Sequence, residues 1–220
     1  MTAQTPDRCR IVLITPPGAT AAKLRPQLAA ALAAGDVASL IVPRYELGDA
    51  DFQALCAQLV PLAQAHGVAA VVAGDTRVAG RVGADGIHVE EGKAGLAEAV
   101  DRYGARMMVG TGGVKTRDDA LELGEAQPDY MFFGRFGYDT KPEPHARNLS
   151  LARWWAEMIE IPCIVLAGAT AASVPAAAAT GAEFVALGAA VFGGDADPAA
   201  AIAEANALLD AHAPRLAEAR

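Results

Sequence analysis

The segment "CRIVLITPPGATAAKLRPQLAAALAAGDVASLIVPR", residues 9–44, decides the fold. It begins and ends with a short apolar run rich in β-branched residues, which is typical of a strand buried on both faces. Between the two runs, residues 20–34 form an alanine-rich amphipathic stretch that predicts a helix. The segment therefore predicts two parallel strands joined by a helix, the unit from which α/β folds are built.

The same alternation repeats along the rest of the chain. Apolar runs predict strands at 9–15, 39–44, 69–74, 86–90, 107–111, 130–134, 162–168 and 184–192. Amphipathic stretches predict helices at 20–34, 50–66, 116–126, 150–159, 171–180 and 198–212, with shorter ones at 77–82 and 94–103. Eight strand–helix units in 220 residues predict a single-domain (β/α)8 barrel over residues 1–220, with its core at 9–212.

A doubly wound open sheet is the alternative architecture for this alternation. Such sheets usually carry a glycine-rich fingerprint, G-x-G-x-x-G, directly after the first strand. Here the turn after the first strand is "TPPGAT", residues 15–20, which lacks the pattern. The sequence therefore favours the closed barrel.

The composition excludes several classes of protein. The chain carries 18 Lys and Arg against 26 Asp and Glu, and the basic residues are scattered, so we expect no nucleic-acid partner. The apolar runs are too short to span a bilayer, and the first residues lack the apolar centre of a signal peptide. Three cysteines without C-x-x-C spacing, Cys9, Cys56 and Cys163, predict reduced and buried thiols in a cytoplasmic protein.

The carboxyl ends of barrel strands converge on one face, where the functional sites of this architecture lie. Two segments at that face are rich in small residues: "LAGATAAS" (166–173) after strand seven and "LGAAVFGG" (187–194) after strand eight. Glycine lets backbone N–H groups approach an anion, and a helix N-terminus adds a positive dipole. The two segments predict a phosphate site, unless their glycines only permit tight turns; its members would be Gly168, Ala169, Gly188 and Ala189.

Four ionisable residues at the same face each have two interpretations. Arg44, after strand two, and Lys141, after strand six, suit phosphate binding, and the alternative for each is a solvated surface cation. Asp75, after strand three, is either an Mg²⁺ ligand or the cap of the helix that follows it. His88 lies inside an apolar strand, which favours a packed or hydrogen-bonded core histidine over a catalyst.

Five segments resemble the thiamine phosphate synthase family, in the same order along the chain. The first, "IVPRYE" (41–46), stands where the family has Gln-Leu-Arg-x-Lys. "GADGIHVEEG" (83–92) is similar to that family's "GADGVHLGQ", and "DYMFFGRFGYDTK" (129–141) is similar to a segment that ends in Thr-x-Thr-Lys. "IPCIVLAGAT" (161–170) and "TGAEFVALGAAVF" (180–192) resemble "IPVVAIGGI" and "AGADGVAVVSAI". The resemblance implies a (β/α)8 barrel that joins a pyrimidine diphosphate to a thiazole phosphate, releases pyrophosphate and uses Mg²⁺.

The resemblance also implies roles for individual residues. Arg44, Thr140 and Lys141 take the positions of substrate-phosphate contacts, and Arg44 and Lys141 are the catalytic candidates. Lys141 would stabilise the leaving pyrophosphate, because a fixed positive charge lowers the energy of developing negative charge. The remaining positions are a metal ligand, Asp75, and the phosphate contacts Gly168, Gly188 and Ala189.

The chain departs from the family pattern at several site positions. The family has asparagine, lysine, a second metal-binding aspartate and serine at the positions of Gly74, Glu46, Lys93 and Gly112. The related thiazole tautomerases carry a catalytic histidine after strand five, and this chain has none there. The magnesium site is therefore either rebuilt with Glu90 or Glu91, or lost, with Lys93 supplying positive charge to the ligand. The other departures favour loss.

Two functions remain open for the sequence. One is a pyrimidine transferase of thiamine biosynthesis, and the other is a barrel that binds a phosphorylated ligand without this chemistry. The departures predict weak or absent pyrimidine transfer, with phosphate binding retained. The expected partner is a small phosphorylated heterocycle rather than nucleic acid or membrane, and a homodimer is left open.

Overall fold

Eight parallel strands close into a barrel in the computed structural model, which describes residues 6–194 and 196–216. Their spatial order follows the chain, and the last strand pairs with the first. The strands are β1 Arg10–Ile14, β2 Ser39–Pro43, β3 Ala69–Ala73, β4 Gly86–Val89, β5 Met108–Thr111, β6 Tyr130–Phe133, β7 Cys163–Leu166 and β8 Phe184–Leu187. The (β/α)8 barrel is thereby confirmed and the doubly wound sheet excluded.

Helices follow the strands and cover the outside of the barrel. They are α1 Ala21–Ala33, α2 Asp49–Ala65, α3 Thr76–Val82, α4 Gly92–Tyr103, α5 Arg117–Gly124, α6 Ala146–Met158, α7 Val174–Ala178, α8 Ala189–Phe192 and α9 Pro198–His212. A 3₁₀ turn, Ala171–Ser173, precedes α7. In the part of the chain that the structure describes, no helix is both long and apolar enough to cross a bilayer.

The strands bury both of their faces, as their continuous apolar runs predict. In β6, Tyr130 and Phe132 belong to the cluster inside the barrel, whereas Met131 and Phe133 belong to the layer between strands and helices. This alternation follows from the two-residue period of a strand. The outer layer includes the fully buried Trp155 of α6, whose ring packs edge-on against Phe133 at 5.8 Å between centroids.

Two predicted element boundaries differ from the structure by four residues or more. The predicted strand 184–192 ends at Leu187, because the chain turns at Gly188 (φ −124°, ψ −80°) and residues 189–192 form α8. A buried apolar run of this length does not distinguish strand from helix by its periodicity. The predicted helix 150–159 begins four residues earlier, at Ala146, where the His145 ring accepts a hydrogen bond from the Arg147 N–H.

The two ends of the described chain meet at the amino-terminal face of the barrel. The buried Arg8 guanidinium donates to Asp210 Oδ1 (2.7 Å) and to Asn206 Oδ1 (3.0 Å), both on α9. This ties the segment before β1 to the last helix, on the face opposite the strand ends that form the site. The extent of the domain over residues 1–220 stays a prediction, because both termini lie outside the described residues.

Candidate active site

A cavity of about 780 Å³ opens at the carboxyl ends of strands β2, β3, β4 and β6. Its volume lies in the range of small-molecule sites. Its ionisable walls are three guanidinium groups, one imidazole and four carboxylates: Arg44, Arg77, Arg135, His88, Glu46, Asp75, Glu90 and Glu91. Tyr45, Phe136 and Tyr138 add aromatic surface. The cavity therefore combines apolar surface for a ring with charges of both signs.

His88 forms the centre of a hydrogen-bonded group at the floor of the cavity. Its side chain is 1% exposed, and its Nδ1 lies 3.0 Å from the hydroxyl oxygen of Tyr130. Its Nε2 lies 3.4 Å from Glu90 Oε1. Because a carboxylate can only accept, Nε2 carries the proton in this pair. When the ring is neutral, Nδ1 keeps its lone pair and accepts from the Tyr130 hydroxyl. The core-histidine interpretation of His88 agrees with its burial, and the same side chain also lines the cavity.

Both partners of His88 have shifted pKa values. The hydrogen bond from His88 lowers the pKa of Glu90; burial of Glu90 opposes this shift, and the charge of Arg135 reinforces it. Burial raises the pKa of Tyr130 above its usual range, so its hydroxyl stays protonated and can donate. Glu90 is therefore an anion at neutral pH, and its side chain is 42% exposed towards the cavity.

Arg44 and Asp75 are neighbours on the cavity wall, and both already have partners. Arg44 Nη2 donates to Asp49 Oδ1 at 2.5 Å, and its Nη1 lies 3.9 Å from Asp75 Oδ2. Asp75 Oδ1 accepts the backbone N–H groups of Arg77 (2.8 Å) and Val78 (3.2 Å), which makes it the N-cap of α3. Burial raises the pKa of Asp75, but these hydrogen bonds and the Arg77 charge outweigh burial, so the net shift is downward.

The loop between β6 and α6, residues 134–145, covers the strand-seven end that the sequence predicts to bind phosphate. The carbonyl oxygen of Lys141 accepts the Ala169 N–H at 2.7 Å. A Cβ added to Gly168 would lie 2.0 Å from the carbonyl oxygen of Pro142, and the Gly168 N–H donates to Ser173 Oγ at 2.9 Å. Glycine at 168 thus allows the loop to approach. The N–H groups of Gly168 and Ala169 both donate hydrogen bonds within the protein.

Asp139 of the same loop occupies the strand-eight end. Its carboxylate is buried and accepts the Ala189 N–H at 2.5 Å, at the start of α8. The same Oδ2 atom lies 2.8 Å from the position that a Cβ on Gly188 would take. The position at which the sequence predicts a phosphate therefore holds the protein's own anion. Thr140 and Lys141 beside it are exposed and do not line the cavity.

The carboxylates do not form a cage for a metal ion. Among the described residues, no group of three or more His, Cys, Asp or Glu side chains is arranged to hold one. Glu91 is exposed at the rim of the cavity, at the N-terminus of α4. Lys93 forms an ion pair with Glu125, the C-cap residue that follows α5, and is not part of the cavity wall. The Mg²⁺ requirement and the charge-supplying role of Lys93 both stay predictions.

The structure brings together some of the residues that the sequence singles out and separates others. Arg44, Asp75, His88 and Glu91 share the cavity, whereas Lys141 and the small residues after β7 and β8 lie under or on the 134–145 loop. Sequence reasoning missed Tyr130 and Phe136 as site residues. The inward position of Tyr130 follows from strand period, but the contact of Phe136 with His88, at 5.0 Å between ring centroids, depends on the loop path.

Comparisons with known proteins agree with this architecture. A sequence model of the thiamine monophosphate synthase family matches residues 11–191. The chain belongs to this family. A thiamine-phosphate synthase from Rhodospirillum centenum is 36% identical over 202 residues, which cover 91% of this chain and 98% of that protein. One from Hyphomonas neptunium is 31% identical, with 95% of this chain and 97% of that protein covered.

A solved structure of a family member also shares the fold. A thiamine phosphate pyrophosphorylase from Pyrococcus furiosus superposes with a TM-score of 0.76 at 18% identity, covering 93% of this chain and 97% of that one. The Rhodospirillum centenum and Hyphomonas neptunium proteins and this solved structure each match the chain over more than nine tenths of its length. The resemblance that five short segments indicate is confirmed.

Proposed function

We propose that this protein joins a pyrimidine, supplied as its diphosphate, to a thiazole phosphate and releases pyrophosphate. The observation that carries the proposal is the alignment with thiamine-phosphate synthases along almost the whole chain, at 31–36% identity. This favours the transferase over a barrel that only binds a phosphate ligand. It replaces the expectation of weak or absent transfer that rested on the departures at Gly74, Glu46, Lys93 and Gly112. In the reaction, the C–O bond from the pyrimidine's carbon to the diphosphate breaks and its electrons leave with pyrophosphate. The ring nitrogen of the thiazole uses its lone pair to form a new C–N bond to that carbon.

The cavity supports the pyrimidine half of this reaction. Phe136 and Tyr45 offer ring faces, and the floor carries the His88–Glu90 pair. Arg44 stands at the wall, where a diphosphate would exchange the contact of Arg44 with the exposed Asp49 for its own oxygens. Charge-assisted bonds of this kind are the stronger class of hydrogen bond. The cavity is large enough to exclude bulk water around the reacting carbon once both substrates fill it.

A diphosphate in this cavity needs a further cation, because four carboxylates already line it against three guanidinium groups. Mg²⁺ fits this need: it is commonly held by one or two carboxylates together with substrate phosphates, so a cage of three side chains is not required. Asp75 suits such binding, since Oδ1 is used by the helix cap and Oδ2 has no hydrogen bond within the described chain. Bound there, Mg²⁺ would neutralise charge on the leaving group.

The second phosphate site, at the ends of β7 and β8, requires the 134–145 loop to move. In the described conformation the Ala169 and Ala189 N–H groups bind Lys141 and Asp139 of that loop. A thiazole phosphate would displace the Asp139 carboxylate from Ala189 and take the same N–H group. The exposed Lys141 would then be free to face the pyrophosphate as it leaves.

We also place the protein in the cytoplasm, without a nucleic-acid or membrane partner. All three cysteines are free and buried, which suits a reducing compartment. Burial raises the pKa of Cys9 to about 11 and that of Cys56 to about 12, so these thiols are poor nucleophiles and serve as packing residues.

The Arg44 and Lys141 roles are tested by substitution in the transfer assay. Arg44→Ala should raise KM for the pyrimidine diphosphate, and Lys141→Ala should lower kcat, each about tenfold or more, as expected for a charge-assisted bond worth ~1.5–3 kcal/mol. Lys23→Ala, an exposed lysine on α1, is the matched control and should leave both constants unchanged. Wild-type constants in both variants would show that these cations do not contact the substrate.

A further inference from the structure

Glu90 is an ionised carboxylate at a position where the related family segment has glycine. The segment "GADGIHVEEG" places Glu90 and Glu91 where the family's "GADGVHLGQ" has Gly-Gln. In the structure, Glu90 Oε1 is held by His88 Nε2 at 3.4 Å, and the side chain lines the cavity. A carboxylate at this site is thus positioned by its neighbour rather than free in solvent.

Another departure from the family pattern, Gly112, lies next to Glu90. A Cβ added to Gly112 would lie 3.3 Å from Glu90 Oε1, and one added to Gly113 would lie 3.5 Å from its carboxyl carbon. The same Cβ at 112 would lie 3.1 Å from the carbonyl oxygen of Phe132, so a larger residue there would crowd both β6 and Glu90. Glu90 and Gly112 are therefore neighbouring departures from the family pattern.

Glu90 also lies at a strand end next to that of Gly74, where the family has an asparagine and this chain lacks its amide. Ala73 of β3 pairs with His88 of β4, so that the residues following these two, Gly74 and the 89–90 segment, lie at neighbouring strand ends. Gly74 cannot contact a ligand through a side chain. An added Cβ at Gly74 would lie 3.0 Å from Arg44 Cβ, so a cationic side chain already borders this position. At the neighbouring strand end, Glu90 offers a carboxylate to the same cavity, and a carboxylate can only accept hydrogen bonds.

We propose that Glu90 is the specificity-determining residue for the pyrimidine, selecting a ring that presents an amino N–H towards it. The Phe136 ring, 5.0 Å from the His88 ring, supplies the apolar face against which such a heterocycle would lie. His88 acts as the positioning residue, since its Nε2–H fixes the orientation of the carboxylate. The inference rests on the proposed function only for the identity of the natural substrate, because the preference for an amino-substituted ring is a binding property.

Kinetics with the full-length protein provide the first test. Glu90→Gln should raise KM for the pyrimidine diphosphate about tenfold or more, since a charge-assisted hydrogen bond becomes a neutral one. KM for the thiazole phosphate should change less than about twofold. Glu98→Gln on α4 is the matched control, because Glu98 is exposed and outside the cavity wall, and it should leave both values unchanged. An unchanged pyrimidine KM, or an equal rise of both KM values, would overturn the proposal.

A binding experiment separates this proposal from the proposed function. NMR titrations of wild type and Glu90→Gln with 4-aminopyrimidine and with unsubstituted pyrimidine would follow the His88 ring signals. Wild type should bind the amino compound about tenfold more tightly, and Glu90→Gln should lose this preference. If the preference is present but no transfer occurs, the proposed function fails alone. If transfer occurs and the amino group makes no difference to binding, the role of Glu90 fails alone.

Discussion

Gly168 shows how one residue can satisfy two explanations that the sequence does not separate. The glycine predicts close backbone approach, which suits either a phosphate or another part of the chain. In the structure the approaching group is the carbonyl of Pro142, which would lie 2.0 Å from a Cβ at this position. A substitution at Gly168 therefore perturbs the 134–145 loop first, and any effect on phosphate binding follows from that.

Replacing this glycine should destabilise the protein. Gly168→Ala forces the Pro142 backbone away, and overpacking of this kind costs ~1–3 kcal/mol of the free energy of unfolding. Gly80→Ala is the matched control: Gly80 is exposed within α3 and has nothing within 4 Å of an added Cβ, so alanine should stabilise by ~0.5–1 kcal/mol. Urea denaturation of the two variants measures both values. Equal stability of Gly168→Ala and wild type would contradict the packing seen here.

The site residues divide into those the sequence predicts and those it does not. Arg44 and Asp75 directly follow strands, and strand ends of a barrel share one face, so their place on the cavity wall follows from the pattern. The engagement of Ala189 by Asp139 is different, because fifty residues separate the two and their contact depends on the path of a long loop. Local pattern fixes which strand end a residue follows, but not which groups a loop lays over it.

The 134–145 loop is the element that controls access to the strand-seven and strand-eight ends. It contributes a buried carboxylate, Asp139, at Ala189 and a backbone carbonyl, that of Lys141, at Ala169. A phosphate and Asp139 would compete for the Ala189 N–H group. Ligand binding there and displacement of the loop are therefore coupled, and the cost of displacement lowers the apparent affinity.

Removing the charge of Asp139 should strengthen phosphate binding. Asp139→Asn keeps an oxygen that can accept the Ala189 N–H but no longer repels an incoming anion, so inorganic phosphate should bind several-fold more tightly. Calorimetric titration of both proteins with phosphate measures the difference. Glu143→Gln, an exposed change of the same charge within the same loop, is the control and should leave the affinity unchanged. Weaker binding by Asp139→Asn would show that phosphate and Asp139 do not share a position.

Helix α5 offers a test of the local sequence signals. Thr116 Oγ1 accepts the Asp119 N–H at 3.1 Å, and Asp119 Oδ2 accepts the Thr116 N–H at 3.0 Å, which forms a capping box. The hydrogen bond with Thr116, together with those from the Lys115 and Thr116 backbone, lowers the pKa of Asp119. A carboxyl group whose pKa is lower in the folded state stabilises the fold above its unfolded pKa of about 3.9.

The stabilisation by Asp119 should therefore depend on pH. Asp119→Ala should reduce the free energy of unfolding at pH 7, because the capping interaction is lost. The difference from wild type should persist down to about pH 5 and shrink as the pH falls below about 4, through the folded-state pKa. Asp118→Ala, in the same helical turn without a side-chain bond in the capping box, should cost less. A deficit of Asp119→Ala that grows at low pH would contradict this account.

At the scale of the whole molecule, the fold could be predicted from sequence because it is repetitive. Each strand is a continuous apolar run and each connection an amphipathic stretch, so eight independent signals indicate one closed sheet. The exception is the segment after Leu187, where an apolar run turns at Gly188 into the short α8. A buried strand and a buried helix would both be apolar in this segment, so only the turn at Gly188 distinguishes β8 from α8.

The function follows from family membership together with a site whose details have changed. The chain aligns with thiamine-phosphate synthases over nearly its whole length, yet its cavity carries Glu90, Gly74 and Gly112 at positions where the family pattern has other residues. The central claim is that this altered cavity still transfers the pyrimidine. It requires the diphosphate of one substrate and the ring of the other to meet at the same strand ends.

The most direct measurement is the stoichiometry of products formed by the purified wild-type protein. The pyrimidine diphosphate and the thiazole phosphate are supplied together and separately, with Mg²⁺ and with the ion removed by a chelator. We predict one thiamine phosphate for each pyrophosphate released, only with both substrates and Mg²⁺ present, at a turnover within the ordinary range of enzymes, about 1 s⁻¹ or above. Pyrophosphate release without thiazole phosphate, or no thiamine phosphate under any of these conditions, would contradict the claim.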